Sequence, residues 1–336
     1  MQCTNFIGSV TDQRLRSLNA KASAIAQATT NGADDQETIC ATDTHNNDYT
    51  SFHDNPWFFR GNNITRMFKD YQSVVHGLIN KYTTLPLELY LNELAALTHI
   101  LVLNKHQHSS IVMKAFLAEL LDELIELLPS ESMNYNLDFN DQHYMTLTRT
   151  ITNLSMSSTT REQAILELTA MSADMEYGPR RLIRGITNLI QKLPNTPLKD
   201  SNDVSEIEIW STYFDPLLLC LICDPNRLVH LCWANVIPTE GGKSRPDAII
   251  AKKQQLEYEG SIGHGEVKVN QGNASKYLLC MDTFHLAVFN KNAIDVNKLN
   301  GLLAFQIRGF NDTFFVSRLV TNGIYAFFEI ACLRFP

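Results

Sequence analysis

Two short stretches carry residue types suited to phosphoryl chemistry: "SRPDAII" at 244–250 and "GHGEVKV" at 263–269. Each ends in an apolar run of the kind that forms a strand. Yet the first contains Asp247 and the second Glu266, with Lys268 two places further on. An ionised carboxylate inside a sheet is costly unless it is paired or holds a metal. Strand residues i and i+2 point to the same side, so Glu266 and Lys268 face one site while Val267 faces the packed side. A hairpin between the two strands brings Asp247 alongside them. Two acids on neighbouring strands suit Mg2+ (or Mn2+), a hard cation that takes oxygen ligands and keeps several waters. In that setting a phosphate is polarised and a bound water becomes more acidic. Lys268 is placed to orient that water or to stabilise charge developing on phosphate oxygens.

These residues need a scaffold, and the order of elements after about 203 provides one. A helical stretch, "SEIEIWSTYFDPLLLCLIC", is followed by a strand, "RLVHLCWANVI". A Gly241-Gly242 turn, a strand through 245–251 and another through 262–269 come next, then a long helix over about 274–293. Three strands close the chain, the last two joined by Asn322-Gly323, a strong hairpin signal. The order α-β-β-β-α-β-β-β predicts a mixed α/β (α+β) domain over 204–336 and not an all-parallel sheet.

Pro246-Asp247 followed by Glu266-Val267-Lys268 resembles the signature of the PD-(D/E)XK nuclease superfamily, and the flanking elements resemble its α-β-β-β-α-β core. The C-terminal stretch is also similar to uncharacterised fungal proteins that carry such a domain. The resemblance covers roughly 203–336. It implies a restriction-endonuclease-like fold with extra C-terminal strands and a Mg2+- or Mn2+-dependent nuclease, acting on DNA in preference to RNA. Asp247 and Glu266 are then metal ligands and catalytic residues, and Lys268 is catalytic. A further acid on the first core helix falls to Glu206, with Glu208 as the alternative. The alternative function is a nuclease-like domain without activity that serves as a nucleic-acid or protein binding module. RecB-like members carry Gln-x-x-x-Tyr on the helix after the lysine; Gln271 and Tyr277 are six apart, so that subgroup is not assigned.

Other groupings compete less well. Cys220, Cys223, His230 and Cys232 have zinc-ligand types, but the first pair lies in an apolar helix, where cysteine behaves as a small hydrophobe. Arg180, Arg181 and Arg184 in "GPRRLIRG" read as a solvated basic face, and His106 and His108 as solvated histidines. Gly263 and Gly265 let the strand start tightly or let backbone come close to a ligand. Lys243 and Arg245 flank the acidic strand, and Ser275 and Lys276 stand near a helix N-terminus that could receive phosphate. Walker, G-x-G-x-x-G, H-E-x-x-H and G-x-S-x-G patterns are absent from the sequence.

The remainder of the chain sets the context. With 336 residues, 44% hydrophobic and 19% charged, it has the composition of a globular protein of two domains. A net charge of −8 excludes a generally basic nucleic-acid coat, though not a local basic cleft. The longest apolar run, "LLLCLIC", is far short of a membrane span, and seven scattered cysteines suit an intracellular, reduced protein. Residues 1–54 are poor in large apolar groups and read as mostly disordered. Residues 55–194 show helical spacing throughout and read as an all-α domain able to bind substrate or a protein partner. Within it, helices are expected over 87–104, over 112–128 with Pro129 as a stop, over 160–175 and over 178–194. The Thr160–Gln163 capping box opens the third of these. The polar segment 195–203 reads as a linker.

Overall fold

The computed structural model describes residues 56–81, 85–105, 107–132, 139–193, 204–233, 245–255, 257–269, 275–321 and 323–334. The 1–54 segment, the 195–203 linker, the Gly241-Gly242 turn, Lys243, His106, Gln271 and Asn322 lie outside them.

After a two-residue hairpin, β1 (Phe58–Phe59) and β2 (Asn62–Asn63), come α1 (Ile64–Lys81), α2 (Leu87–Leu97) and β3 (Ile100–Leu103). Helices α3 (Ser110–Phe116), α4 (Ala118–Ser132), α5 (Asp141–Ser155), α6 (Arg161–Ala173) and α7 (Tyr177–Lys192) follow. A helical segment then runs from α8 (Glu206–Glu208) through a wide π turn (Ile209–Phe214) into α9 (Asp215–Ile222). Next are β4 (Val229–Trp233), β5 (Ala248–Gln254) and β6 (Glu257–Lys268), then α10 (Ser275–Asn297). Strands β7 (Gly301–Arg308), β8 (Asn311–Thr321) and β9 (Ile324–Arg334) end the chain.

Among the described residues, seven strands form one mixed sheet in the order β3-β9-β8-β7-β6-β5-β4. Strands β4, β5 and β6 are antiparallel neighbours, and β7 returns parallel to β6 after α10. The β8–β9 pair is the expected hairpin, with Gly323 at φ +72° in its turn. One face of the sheet packs Leu302, Ala304, Phe315 and Phe327 against α10 and α1–α4. The other packs Ile250, Val267, Phe305 and Ile307 against the helical segment 206–222.

The 55–194 region departs from the all-α expectation. The 87–104 helix stops at Leu97, and after His99 (φ +65°) the chain forms β3, parallel to β9. All four residues of β3, "ILVL", are buried. Periodicity cannot separate such a short apolar run from a buried helix; pairing with a strand more than 200 residues away decides it. The 112–128 helix is broken at Leu117 (φ +65°) into α3 and α4, and α4 continues through Pro129 to Ser132. Residues 64–128 thus share one hydrophobic cluster with α10 and β7–β9. Helices α6 and α7 form a small cluster of their own around Leu168, Met175, Ile183 and Ile190. The Thr160–Gln163 capping box is present, with Gln163 N–H donating to Thr160 Oγ1 at 3.2 Å and Thr160 N–H to Gln163 Oε1 at 3.1 Å.

Candidate active site

The site is built at one end of the β5–β6 pair. Ala248 is opposite Gly265, so Asp247, one step before β5, comes beside Glu266. Val267 points to the opposite face, into the core with Phe305 and Ile307. Lys268 Nζ donates to Asp247 Oδ2 at 3.0 Å and lies 3.5 Å from Glu266 Oε2. The Val267 N–H also donates to Asp247 Oδ2, at 2.9 Å, which fixes the carboxylate. The exposures are graded: the Asp247 and Lys268 side chains are about one-third exposed, at 34% and 32%, and that of Glu266 only 7%. Asp247 and Lys268 therefore face the solvent side and Glu266 the floor.

The helical acid comes from the other side. Ser205 caps the segment by accepting from Glu208 N–H. The wide turn before Pro216 suits a residue that cannot donate to the carbonyl four places back. Trp210 stacks on Trp233 of β4 at 4.7 Å, and Trp233 Nε1 donates to Asp215 Oδ1 at 2.7 Å, which locks the segment to the sheet. Glu206 then feels both Lys268 and Asp247 electrostatically, whereas Glu208 is exposed and acts on Tyr213. Of the two alternatives, Glu206 shares the site.

Crowding of like charges sets the protonation pattern. Burial, then the Asp247 charge and a hydrogen bond to Asp247, push Glu266 far above the ordinary carboxylate range. For Asp247, burial acts upward, but hydrogen bonds with Glu266, the Val267 N–H and Lys268 outweigh it and hold the group below its usual value. Burial also raises Glu206, with Lys268 opposing. Burial would lower Lys268, but Asp282, Asp247 and Glu266 reverse this and hold it as an ammonium. One negative Asp247 and one protonated Glu266 are what two touching acids adopt when only one cation answers them.

Sequence reasoning missed Asp282. Burial raises its pKa to about 7, with Lys268 opposing and Asp247 and Glu206 adding to the rise. It lies on the sheet-facing side of α10, where Leu286, Phe289 and Ala293 continue the stripe. That signal was in the sequence: an acid at the first position of an otherwise apolar i, i+4, i+7, i+11 series. Gln306, opposite Glu266 on β7, holds α10 in place. Thr283 Oγ1 donates to Gln306 Oε1 at 3.0 Å, and Gln306 Nε2 to the Leu279 carbonyl at 3.1 Å. His264 Nδ1 and Asn290 Oδ1, 2.8 Å apart, tie α10 to β6 as well. A cleft of about 440 Å3 opens here, lined by Val204, Glu206, Lys268, Leu279, Gln306 and Arg308 among others.

The remaining candidates resolve differently. Arg245 and Lys276 are exposed, and the side chain of Ser275 is outside the described set. Cys220, Cys223 and Cys232 are free thiols; Cys223 Sγ accepts from Leu231 N–H at 3.1 Å, and the four zinc-type residues do not cluster. Arg180 and Arg181 are not a solvated face: they donate to the Met175 and Cys223 carbonyls. Gly263 and Gly265 stand inside β6, not at its start, and a Cβ at Gly265 would come 2.1 Å from the Phe305 ring. At Gly263 a Cβ would come 2.6 Å from the Leu303 carbonyl oxygen. No helix among the described residues is long and apolar enough to cross a membrane. No protein-family model, curated protein or solved structure matches the chain.

Proposed function

We propose that the chain is a metal-dependent nuclease that hydrolyses phosphodiester bonds, in DNA in preference to RNA. The observation that carries this reading is the meeting of Asp247, Glu266 and Lys268, with Glu206 facing them from the helix, beside a cleft that Lys268 and Glu206 line. The order of elements supports a restriction-endonuclease-like core. A helical segment leads into antiparallel β4-β5-β6, α10 crosses over, and β7 lies parallel to β6.

The donor set fits a hard divalent cation. All the groups are carboxylate oxygens, and a crowded, buried Glu266 kept protonated by its neighbours is a group that a cation would return to its charged form. Asp247 and Glu266 would hold Mg2+ or Mn2+, with Glu206 assisting; when bound it supplies Lewis-acid polarisation and a water of lowered pKa. The chain's own residues do the rest. The Val267 N–H orients Asp247. Lys268, kept charged by three acids, is a donor and not a base, suited to charge developing on phosphate oxygens. Arg308, opposite Lys268 on β7 and lining the same cleft, gives a second positive charge for a polyanion.

A second reading, an inactive binding module, is favoured by the net charge of −8 and by the engagement of Lys268 with Asp247 and the Val267 carbonyl. An endpoint assay separates the two. Plasmid and single-stranded DNA are incubated with Mg2+, with Mn2+ and with chelator. The nuclease reading expects cleavage that requires the cation and disappears in Asp247→Asn. DNA binding without any cleavage would support the module instead.

A further inference from the structure

The floor of the site holds ligand types that the motif does not include. Glu266, Asp282 and His285 each offer one ligand atom, and these atoms all lie within 4.8 Å of one another. Asp282 and His285 are three apart on α10, so they project from one face of that helix. Glu266 reaches them from β6. The Thr283–Gln306 and Asn290–His264 bonds hold the two elements in register.

A group of acids alone would not make a site. Here a second observation points to a ligand. Asp282 is 6% exposed, and its Oδ2 is buried with no hydrogen-bond partner among the described residues. A carboxylate oxygen taken from water and given no donor is unfavourable. Lys268 acts on Asp282 by charge but gives Oδ2 no hydrogen bond: its direct contacts go to Asp247, the Val267 carbonyl and Glu266. An ion among the three side chains would answer that oxygen.

The ligand types decide which ion. Mg2+ takes oxygen donors and keeps its waters, whereas an imidazole beside carboxylates suits first-row transition metals. We propose that Glu266, Asp282 and His285 form a binding site for a divalent transition-metal ion, on the α10 side of Glu266. The site shares Glu266 with the nuclease reading but rests on binding alone. It predicts that Mn2+ is held here in a way that Mg2+ is not.

The test uses the full chain and Mn2+ as the probe, read by pulsed electron paramagnetic resonance. Wild type is expected to bind Mn2+ with a nitrogen-14 coupling, the signature of an imidazole ligand. The coupling should vanish in His285→Ala and persist in Asp247→Asn. Asp282→Asn should weaken Mn2+ binding by about tenfold or more. Wild-type protein that binds no Mn2+, or binds it with no nitrogen coupling, overturns the proposal, and this result does not depend on any variant folding. Coupling that survives in a folded His285→Ala also overturns it. Coupling without DNA cleavage would leave the site standing and remove the nuclease reading. Cleavage without coupling would do the reverse.

Discussion

Two buried glutamates lie in different parts of this molecule, and they behave differently. Glu93 on α2 is fully buried in the cluster shared by α1–α4 and the sheet. It accepts a hydrogen bond from Ser109, whose side chain also caps α3, and it interacts with Tyr71. Burial raises its pKa, and no charged side chain contributes to the shift. Glu266 on β6 is nearly as buried, but Asp247, Asp282 and Lys268 all act on it. A buried acid is therefore not a site by itself. Glu93 accepts one hydroxyl hydrogen bond, from Ser109, while its Oε2 has no hydrogen-bond partner among the described residues, and no charged side chain acts on it. Glu266 sits among more negative groups than one lysine can balance, and that excess suits a cation.

The sharpest way to break this comparison is to neutralise each acid in turn. Glu266→Gln keeps the shape and removes a ligand charge. Divalent-metal-dependent cleavage should fall by at least about 10²–10³-fold while the fold survives. Glu93→Gln should leave cleavage within about twofold and change stability by about 1 kcal/mol, since an amide can still accept from Ser109. Equal losses in both, by single-turnover cleavage and denaturant melts, would erase the distinction. Lys268→Ala sharpens it further. Turnover should drop by about 10²–10³-fold, with a smaller change in the Mg2+ concentration at half-maximal rate, because the ammonium acts on substrate charge and not on the ion.

A smaller effect comes from the opposite face of β6. Gly265 has no Cβ because the Phe305 ring occupies that space, at 2.1 Å. Gly265→Ala should destabilise the protein by about 1–3 kcal/mol in a urea melt and disturb β6 under both Glu266 and Lys268. Stability unchanged within error would mean that the ring moves aside.

How much of this could be read from the chain depended on how local the cause was. The capping box at Thr160–Gln163 and the β8–β9 hairpin depend on neighbouring residues, and both formed. The pairing of Asp247 with Glu266 and Lys268 depends on one antiparallel hairpin and strand alternation, and the three do share a face. Strand β3 was not legible, because "ILVL" is indifferent between helix and strand until β9 arrives beside it. The break at Leu117 gave no signal of glycine or proline. Asp282 and His285 were not legible because they lie on α10, away in sequence from Asp247, Glu266 and Lys268 at the β5–β6 pair. An acid interrupting the apolar stripe of α10 was the available clue.

A separate, pH-dependent effect on stability concerns another buried acid, Asp312 on β8. It is 0% exposed, and neither carboxylate oxygen has a hydrogen bond among the described residues. Burial alone raises its pKa to about 8 from an ordinary 3.8. The folded protein keeps a proton that the unfolded chain releases, so this contribution is full below about pH 4 and is lost as pH rises through about 8. Asp312→Asn should flatten the fall of unfolding free energy over that window, measured by urea titrations at several pH values. An unchanged slope would show that the carboxyl is already satisfied.

The most direct test of the central claim is a Mg2+ titration of wild type and Asp247→Asn in which DNA cleavage and DNA affinity are both measured. The account predicts cleavage that rises with Mg2+ in wild type and is absent at every concentration in the variant, with DNA affinity retained. Cleavage that survives in a folded Asp247→Asn, or wild-type protein that binds DNA and never cuts it at any Mg2+ concentration, would contradict it.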